Sequence, residues 1–435
     1  MTHLSPPTTV LDIAQRLESA GFEAWCVGGA VRDALLGETH LDWDLATSAT
    51  PDQVRQVFGA KRTIPVGIDF GTVGVIDRVG TMHEVTTFRR DVKTDGRHAV
   101  VEFGVSLDDD LARRDFTINA IAYSPRHDEL RDPFGGRRDL ERKLVRAVGD
   151  ADARMREDRL RALRAIRFAS RFGFSIDAAT RQAMDDSAPY LGRLSPERVK
   201  QELDKTFDQV RRPSDALKIW QSSGAFASLI PALAGLSPTA LSVPDFTAQP
   251  GTSRRPARRT VRYAGMLVSL GPTGAESVLV GLRGSKHEIR AASSLIESWR
   301  AAGADIRAGL ANRGAIADAD VRRWVASITR LGIGPFMRLA RAIWCADRAA
   351  GVDAPDESSI RRVYRRMLTV ALRDPIDLGS LAVDGDDLRR GGIPAGPSLG
   401  KILQSLLAAV IDDPARNTPE WLLREAARLH GDASR

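Results

Sequence analysis

With 435 residues, 43% of them hydrophobic and 27% charged, the chain has the make-up of a folded protein rather than a disordered one, with room for two to four domains at about 100–200 residues each. Its two cysteines, Cys26 and Cys345, exclude a disulfide framework and a cysteine zinc cluster. Net charge is +7, with 55 arginines against eight lysines; such a surface either binds phosphates or is merely solvated, and charge alone leaves both open.

In chain order, Ala24–Val27 reads as a short buried strand that ends at Gly28-Gly29, and a helix follows from Val31 until Gly37 stops it. Residues 41–46 form a second strand, and Thr50-Pro51-Asp52 opens a helix with Thr50 as cap and Pro51 in the first turn. Residues 70–77 and 83–88 read as the arms of a hairpin about Arg78-Val79-Gly80. Beyond about Glu141 strand signals cease, and apolar residues recur at three- and four-residue spacing, helix after helix. Residues 237–260, which include Arg254, Arg255, Arg258 and Arg259, read as a basic surface loop, and GGIPAGPSLG at 391–400 as a turn opening a helix near Leu399. The fold expected is α+β, a head with a small mixed or antiparallel sheet followed by an extended all-helical remainder. No apolar run reaches the ~20 residues of a membrane-spanning helix, and the first residues lack a signal-peptide pattern, so a soluble, cytoplasmic protein with no membrane partner is expected.

Chemistry concentrates in a few segments. In Asp42-Trp43-Asp44, residues two apart on a strand share a face, so both carboxylates project together while Trp43 turns inward. Such a pair can hold Mg²⁺, which in turn binds substrate phosphates, although alone it marks a surface pair just as well. The preceding GGAVRD adds a small-residue turn and a helix start, a setting in which backbone N–H groups approach a triphosphate and Arg32 offers a fork. The two motifs lie some thirteen residues apart, which makes coincidence a poor explanation.

Together, GGAVRDALLG and LDWD resemble the head of the class II CCA tRNA nucleotidyltransferase and bacterial poly(A) polymerase family, within the DNA polymerase beta-like superfamily. Arg113-Arg114-Asp115-Phe116-Thr117-Ile118-Asn119-Ala120 is similar to that family's ribose and phosphate motif, Glu157-Asp158-Arg159-Leu160-Arg161 to its base-recognition motif, and Ser195-Pro196-Glu197-Arg198 with Glu202-Leu203 to a later neck motif. Gly391 to Gly400, with Asn417-Thr418 beyond, resembles the tail of the CCA-adding members.

The resemblance implies a catalytic head over 1–142, a helical neck over 143–212, a helical body over 213–375 and a tRNA-binding tail over 376–435. It implies Asp42 and Asp44 as catalytic and Mg²⁺-binding residues, Gly29 and Arg32 on the triphosphate, and Arg114 and Asp115 on phosphate and ribose. For Arg113, pairing with Asp109 or Asp110 is an equal alternative. Asp158, Arg161, Arg164 and Arg167 recur every three residues opposite Leu160, Leu163, Ile166 and Ala169, so one side of a helix can pack while the other lines a charged cleft. Cytosine and adenine each present an amine beside an unprotonated ring nitrogen. Asp158 can accept from the first and Arg161 donate to the second, which predicts CTP and ATP as substrates and tRNA as partner.

Glu84 stays open between a third carboxylate near the metal and a solvent-facing or arginine-paired acid. Residues 89–103 read as a polar loop turning at Asp95-Gly96, similar to the one members use when switching from C to A addition. The functional expectation is addition of C, C and A to tRNA 3′ ends. The alternatives are a poly(A) polymerase or A-only enzyme sharing the head, and a non-catalytic RNA-binding protein on the same scaffold, which the intact Asp42 and Asp44 disfavour.

Overall fold

The computed structural model describes residues 4–38, 42–94, 99–247, 258–311 and 316–433. The chain divides into two compact units, one of residues 1–210 and 215–234, the other of residues 211–214 and 235–435.

The first unit begins with helix α1 (Thr8–Ser19), strand β1 (Ala24–Val27), α2 (Gly29–Leu35), β2 (Asp44–Thr47) and α3 (Pro51–Phe58). The strands β3 (Thr63–Gly67), β4 (Thr72–Ile76) and β5 (Met82–Thr87) follow, then a separate pair of strands, β6 (Arg89–Thr94) and β7 (Ala99–Phe103). Helix α4 (Leu107–Ala112), the strands β8 (Ala122–Ser124) and β9 (Glu129–Arg131), and α5 (Gly136–Glu141) complete the head. Its seven strands run in the order β3-β4-β5-β2-β1-β8-β9. Within this sheet only β2 and β5 pair in parallel, with Leu45 beside Val85.

Alternation along these strands sets the two faces. Leu45, Val73, Val75 and Val85 are fully buried on the face that α1 and α3 cover. Thr50 and Pro51 start α3 as the sequence indicates, with a reciprocal bond between Thr50 and Gln53. On the opposite face Val27, Ala46 and Ala122 pack beneath Leu107 and Leu111 of α4. That cover stops short of the β3–β5 end, where Ile64, Met82 and Glu84 are exposed.

Several sequence expectations need correction. Strands do not end at Glu141: β10 (Leu144–Val145) pairs in parallel with β11 (Ser175–Ile176), two residues each, too short for a periodic signal. The segment 89–103 contains two paired strands rather than a loop, and residues 95–98, which include the expected Asp95-Gly96 turn, lie outside the described residues. Of the basic stretch 237–260, residues 238–246 are helical and a further helix starts at Arg258; Arg254 and Arg255 lie outside the described residues. The second strand starts at Asp44 rather than 41, and the tail helix at Pro397 rather than Leu399.

The rest of this unit is helical. It contains α6 (Ala151–Glu157), α7 (Leu160–Phe172), α8 (Ala178–Ser187) and α9 (Pro196–Gln209), the last capped by Ser195 with Pro196 in its first turn. In the second unit the helices Lys286–Ala311 and Ile333–Ala349 bring Trp299 to 5.8 Å from Trp344 and 6.3 Å from Phe336, ring centre to ring centre. A further core of Val383, Leu388, Ile402, Leu406, Val410 and Leu422 joins the last three helices. No helix among the described residues is long and apolar enough to cross a membrane.

Candidate active site

The site is built where β1, β2 and β5 run side by side. Asp44 opens β2 opposite Val27, the last residue of β1, and the register of β2 on β5 puts Glu84 on the same face of the neighbouring strand. Asp42 lies two residues before Asp44 and is exposed, while Trp43 between them is 4% exposed and sunk in the core. Alternation thus separates the acids from the indole as the sequence implies. Burial, reinforced by the negative charges of Glu84 and Asp42, pushes the Asp44 carboxyl up from 3.8 to about 6; the Arg114 guanidinium counteracts this. Glu84 is exposed, and among the described residues it makes no ion pair. The arginine-paired reading is therefore set aside; Glu84 is a solvent-facing acid close enough to Asp44 for its charge to act on it.

This concentration of carboxylate charge suits a divalent cation, which would relieve the repulsion that holds Asp44 high. No group of three His, Cys, Asp or Glu side chains among the described residues forms a ready cage. A cation bound here would draw its remaining ligands from water and phosphate oxygens, the habit of small hard ions.

Gly28 ends β1 and caps α2 with φ +73° and ψ −132°, a backbone conformation closed to L side chains. A Cβ there would also stand 2.9 Å from Nη1 of Arg114, so the arginine lies directly on the glycine turn. Arg114 donates to Asp110 at 3.1 Å and to the Asn119 carbonyl at 3.5 Å, and its Nε is buried without an acceptor. One donor is therefore unspent beside the carboxylates. Arg113 takes the structural alternative, donating to Asp110 through Nε at 2.9 Å and Nη2 at 2.7 Å. Asp110, almost fully buried, is the acceptor for both arginines.

Arg32 is placed differently from the triphosphate fork expected of it. It is 3% exposed, pairs with Asp33 at 2.6 Å, donates to the Asn119 side chain, and stacks on Phe168 and Phe172 of α7 at 5.0 and 4.8 Å. Gly29 sits beside it, so that an added Cβ would be 3.4 Å from Nη2 of Arg32. Asn119 links this arginine to Asp115, donating to Oδ1 at 2.9 Å, while Arg164 donates to Oδ2 through Nε at 2.7 Å. Burial alone would raise Asp115, but Arg164 and Asn119 more than offset it and hold the carboxyl below its usual range.

The charged stripe on α7 makes side-chain pairs within the protein. Asp158 is not on the helix at all: it is extended, φ −147°, between α6 and α7, and accepts from the Leu160 backbone N–H at 3.0 Å. An aspartate that caps the next helix in this way competes with continuing the previous one. Its other oxygen accepts from Arg198 at 2.7 Å. Arg161 is 8% exposed and donates to Glu157 at 2.7 Å and to the Arg113 carbonyl at 3.0 Å, so Asp158 and Arg161 are held by separate partners. Arg167, 3% exposed, donates to Glu202 of α9 at 2.6 Å. Arg161 and Arg167 are thus buried and paired, while Arg164 between them is only partly covered.

Four residues of this network carried no assigned role in the sequence reading: Asp33, Asn119, Arg198 and Glu202. Asp33 stood in the GGAVRD motif and Asn119, Arg198 and Glu202 in the other recognised motifs, the only signal that could have singled them out. Glu202, 1% exposed, is a buried acid opposite an arginine stripe, a partnership visible only once α7 and α9 are packed.

Residues 24–146 match the family profile described as the poly A polymerase head domain, and residues 173–236 match the one described as a probable RNA and SrmB- binding site of polymerase A. The CCA-adding enzyme of Geobacillus kaustophilus is 34% identical over 440 residues, covering 98% of this chain and 99% of that one. The CCA-adding enzyme of Leuconostoc mesenteroides is 49% identical over 196 residues, 44% of this chain and 48% of its own. Among solved structures, the Bacillus stearothermophilus CCA-adding enzyme in complex with CTP superposes with a TM-score of 0.76 at 31% identity, over 99% of each chain. The Thermotoga maritima CCA-adding enzyme complexed with tRNA shares the fold, with a TM-score of 0.65 at 20% identity over 98% of this chain and 97% of that one. A divalent-metal nucleotidyltransferase head and end-to-end likeness to such relatives lead to one conclusion: the chain belongs to the CCA-adding enzyme family of nucleotidyltransferases.

Proposed function

We propose that the protein adds C, C and A in turn to the 3′ end of tRNA in the cytoplasm, using CTP and ATP and releasing pyrophosphate. The observation that carries this reading is the cluster of Asp42, Asp44 and Glu84 beside a glycine turn, in a chain that CCA-adding enzymes match from end to end. Asp42 and Asp44 would hold the divalent ion, which we take to be Mg²⁺. When bound, it supplies charge neutralisation for the triphosphate and acidity for the attacking 3′-hydroxyl.

The chain's own groups divide the remaining work. The missing side chains of Gly28 and Gly29 let the Arg114 and Arg32 guanidinium groups close on the turn, so a triphosphate at the start of α2 would meet backbone N–H groups and the Arg114 guanidinium together. Arg114 offers its unspent Nε to a phosphate oxygen, and Asp115 is kept ionised by Arg164 to accept from a ribose hydroxyl. Asp158 accepts and Arg161 donates, the complement of the edge that cytosine and adenine share; Arg198 and Glu157 hold the two side chains in position. Arg32 and Arg167 act from behind, fixing α2 and α9 against α7. In the four-part division, 1–142 would act as catalytic head, 143–212 as base-reading neck, 213–375 as body and 376–435 as tRNA-binding tail.

Asp42→Ala and Asp44→Ala are expected to abolish nucleotide addition while leaving RNA affinity within about threefold. A parallel loss of RNA binding would make the two acids structural and overturn their catalytic assignment.

A further inference from the structure

The open end of the head sheet carries more than the acids. Pairing places Ile64 of β3 opposite Gly74 of β4, and Gly74 opposite Glu84 of β5, so these residues share a row that continues to Asp44 on β2. A Cβ added at Gly74 would meet Sδ of Met82 at 2.7 Å and Cγ2 of Val66 at 2.9 Å. Met82 and Val66 therefore close over the glycine, and with Ile64 they form one continuous apolar surface running up to the carboxylates. All three are unusually open for their type, Ile64 at 43%, Val66 at 45% and Met82 at 41% exposure. Adjacent apolar side chains left in water on a sheet face mark an interaction surface.

We propose that this shelf receives the terminal unpaired nucleotides of the RNA whose 3′-hydroxyl is to be extended. The inference rests on the proposed function and deepens it. An end whose hydroxyl reaches Asp44 must lay its last bases on the surface next to that acid, and along this row that surface is the shelf. Its chemistry fits the demand as well. Each addition changes the terminal base, so the surface beneath it must tolerate any of them. Ile64, Val66 and Met82 present no directed N–H or O–H donor that would read an edge, whereas every base has an apolar face. Strand addition by another protein is the less suitable occupant, because Pro65 in the edge strand β3 removes an N–H from the ladder.

The test is the Ile64→Ser, Val66→Ser double variant of the full chain, with Gly74→Ala as a second variant that displaces Met82 and Val66 while leaving them apolar. Both are read in two ways. In single-nucleotide addition with RNA titrated, KM for RNA should rise about 5- to 10-fold, equally for ends in each base, with KM for CTP within twofold. In binding without nucleotide, RNA ending in 2-aminopurine should change its fluorescence on wild-type protein, and that change should be lost on the double variant. An unaltered RNA KM together with an unaltered fluorescence change would refute the shelf. So would a double variant that turns a wild-type dimer into a monomer without affecting either readout, since the surface would then join two copies. If wild-type protein extends no RNA, the proposed function fails, and the fluorescence comparison, which needs binding but no turnover, still decides the shelf.

Discussion

Asp44→Asn offers a test of the site that needs no turnover. In the wild-type protein the folded state holds Asp44 at about 6, against 3.8 for an ordinary aspartate. Roughly two pH units at 1.36 kcal/mol each give an upper limit of about 3 kcal/mol by which ionised Asp44 disfavours folding when no cation is present. Partial exposure screens this to about 1–2 kcal/mol. Because the folded value is raised, the penalty is absent below pH 3.8, grows as pH rises towards 6, and is complete above that. Asp44→Asn should therefore melt about 3–6 °C above wild type at pH 8 in chelator, and the gap should close as pH falls from 6 towards 4. Millimolar Mg²⁺ should raise the wild-type melting temperature at pH 8 and leave Asp44→Asn almost unmoved. A variant less stable than wild type at pH 8, or one stabilised equally by Mg²⁺, would contradict the placing of Asp44 in an anionic, cation-binding cluster.

Three further substitutions probe separate parts of the molecule. Gly28→Ala strains a φ of +73° and crowds Arg114, so single-turnover addition should fall at least about 10-fold with a loss of only about 1–3 kcal/mol in stability; unaffected addition would show that the turn need not be bare. Glu202→Gln leaves the buried Arg167 without a counter-charge and should cost about 3–5 kcal/mol in urea titration, a change below about 1 kcal/mol meaning that the pair is dispensable. Asp158→Ala should raise GTP and UTP incorporation relative to CTP and ATP by about 100-fold or more, and wild-type discrimination in that variant would move base recognition elsewhere.

The head was legible because its signals are local. A strand ending in two glycines, a Thr-Pro helix start and an alternating Asp-Trp-Asp each fix a short piece of backbone, and Trp43 goes inward as alternation requires. The arginines of α7, and Arg32 on α2, were less legible because their fate depends on distant partners. Arg167 meets Glu202, thirty-five residues on, and Arg32 meets Asn119, eighty-seven residues on; nothing in the spacing of either arginine tells a buried pair from an exposed fork. Asp158 shows a different limit. Its three-residue spacing to Arg161 fits a helix, yet it is extended and accepts from the Leu160 N–H, so it stands just outside the start of the helix it seemed to belong to. Glu84 needed the parallel register of β2 on β5, a pairing across some forty residues that the hairpin alone does not imply.

CCA addition itself is decided by giving purified protein, with Mg²⁺, tRNA transcripts that lack the CCA end, end in CC or end in CCA, each with CTP, ATP or both, and sequencing the products. The expected result is growth of each incomplete transcript to CCA followed by arrest, with no use of ATP before two C residues are in place. Extension by A alone, whether a single residue or a long tail, would contradict the proposed function and make the protein an A-adding enzyme or poly(A) polymerase on the same head.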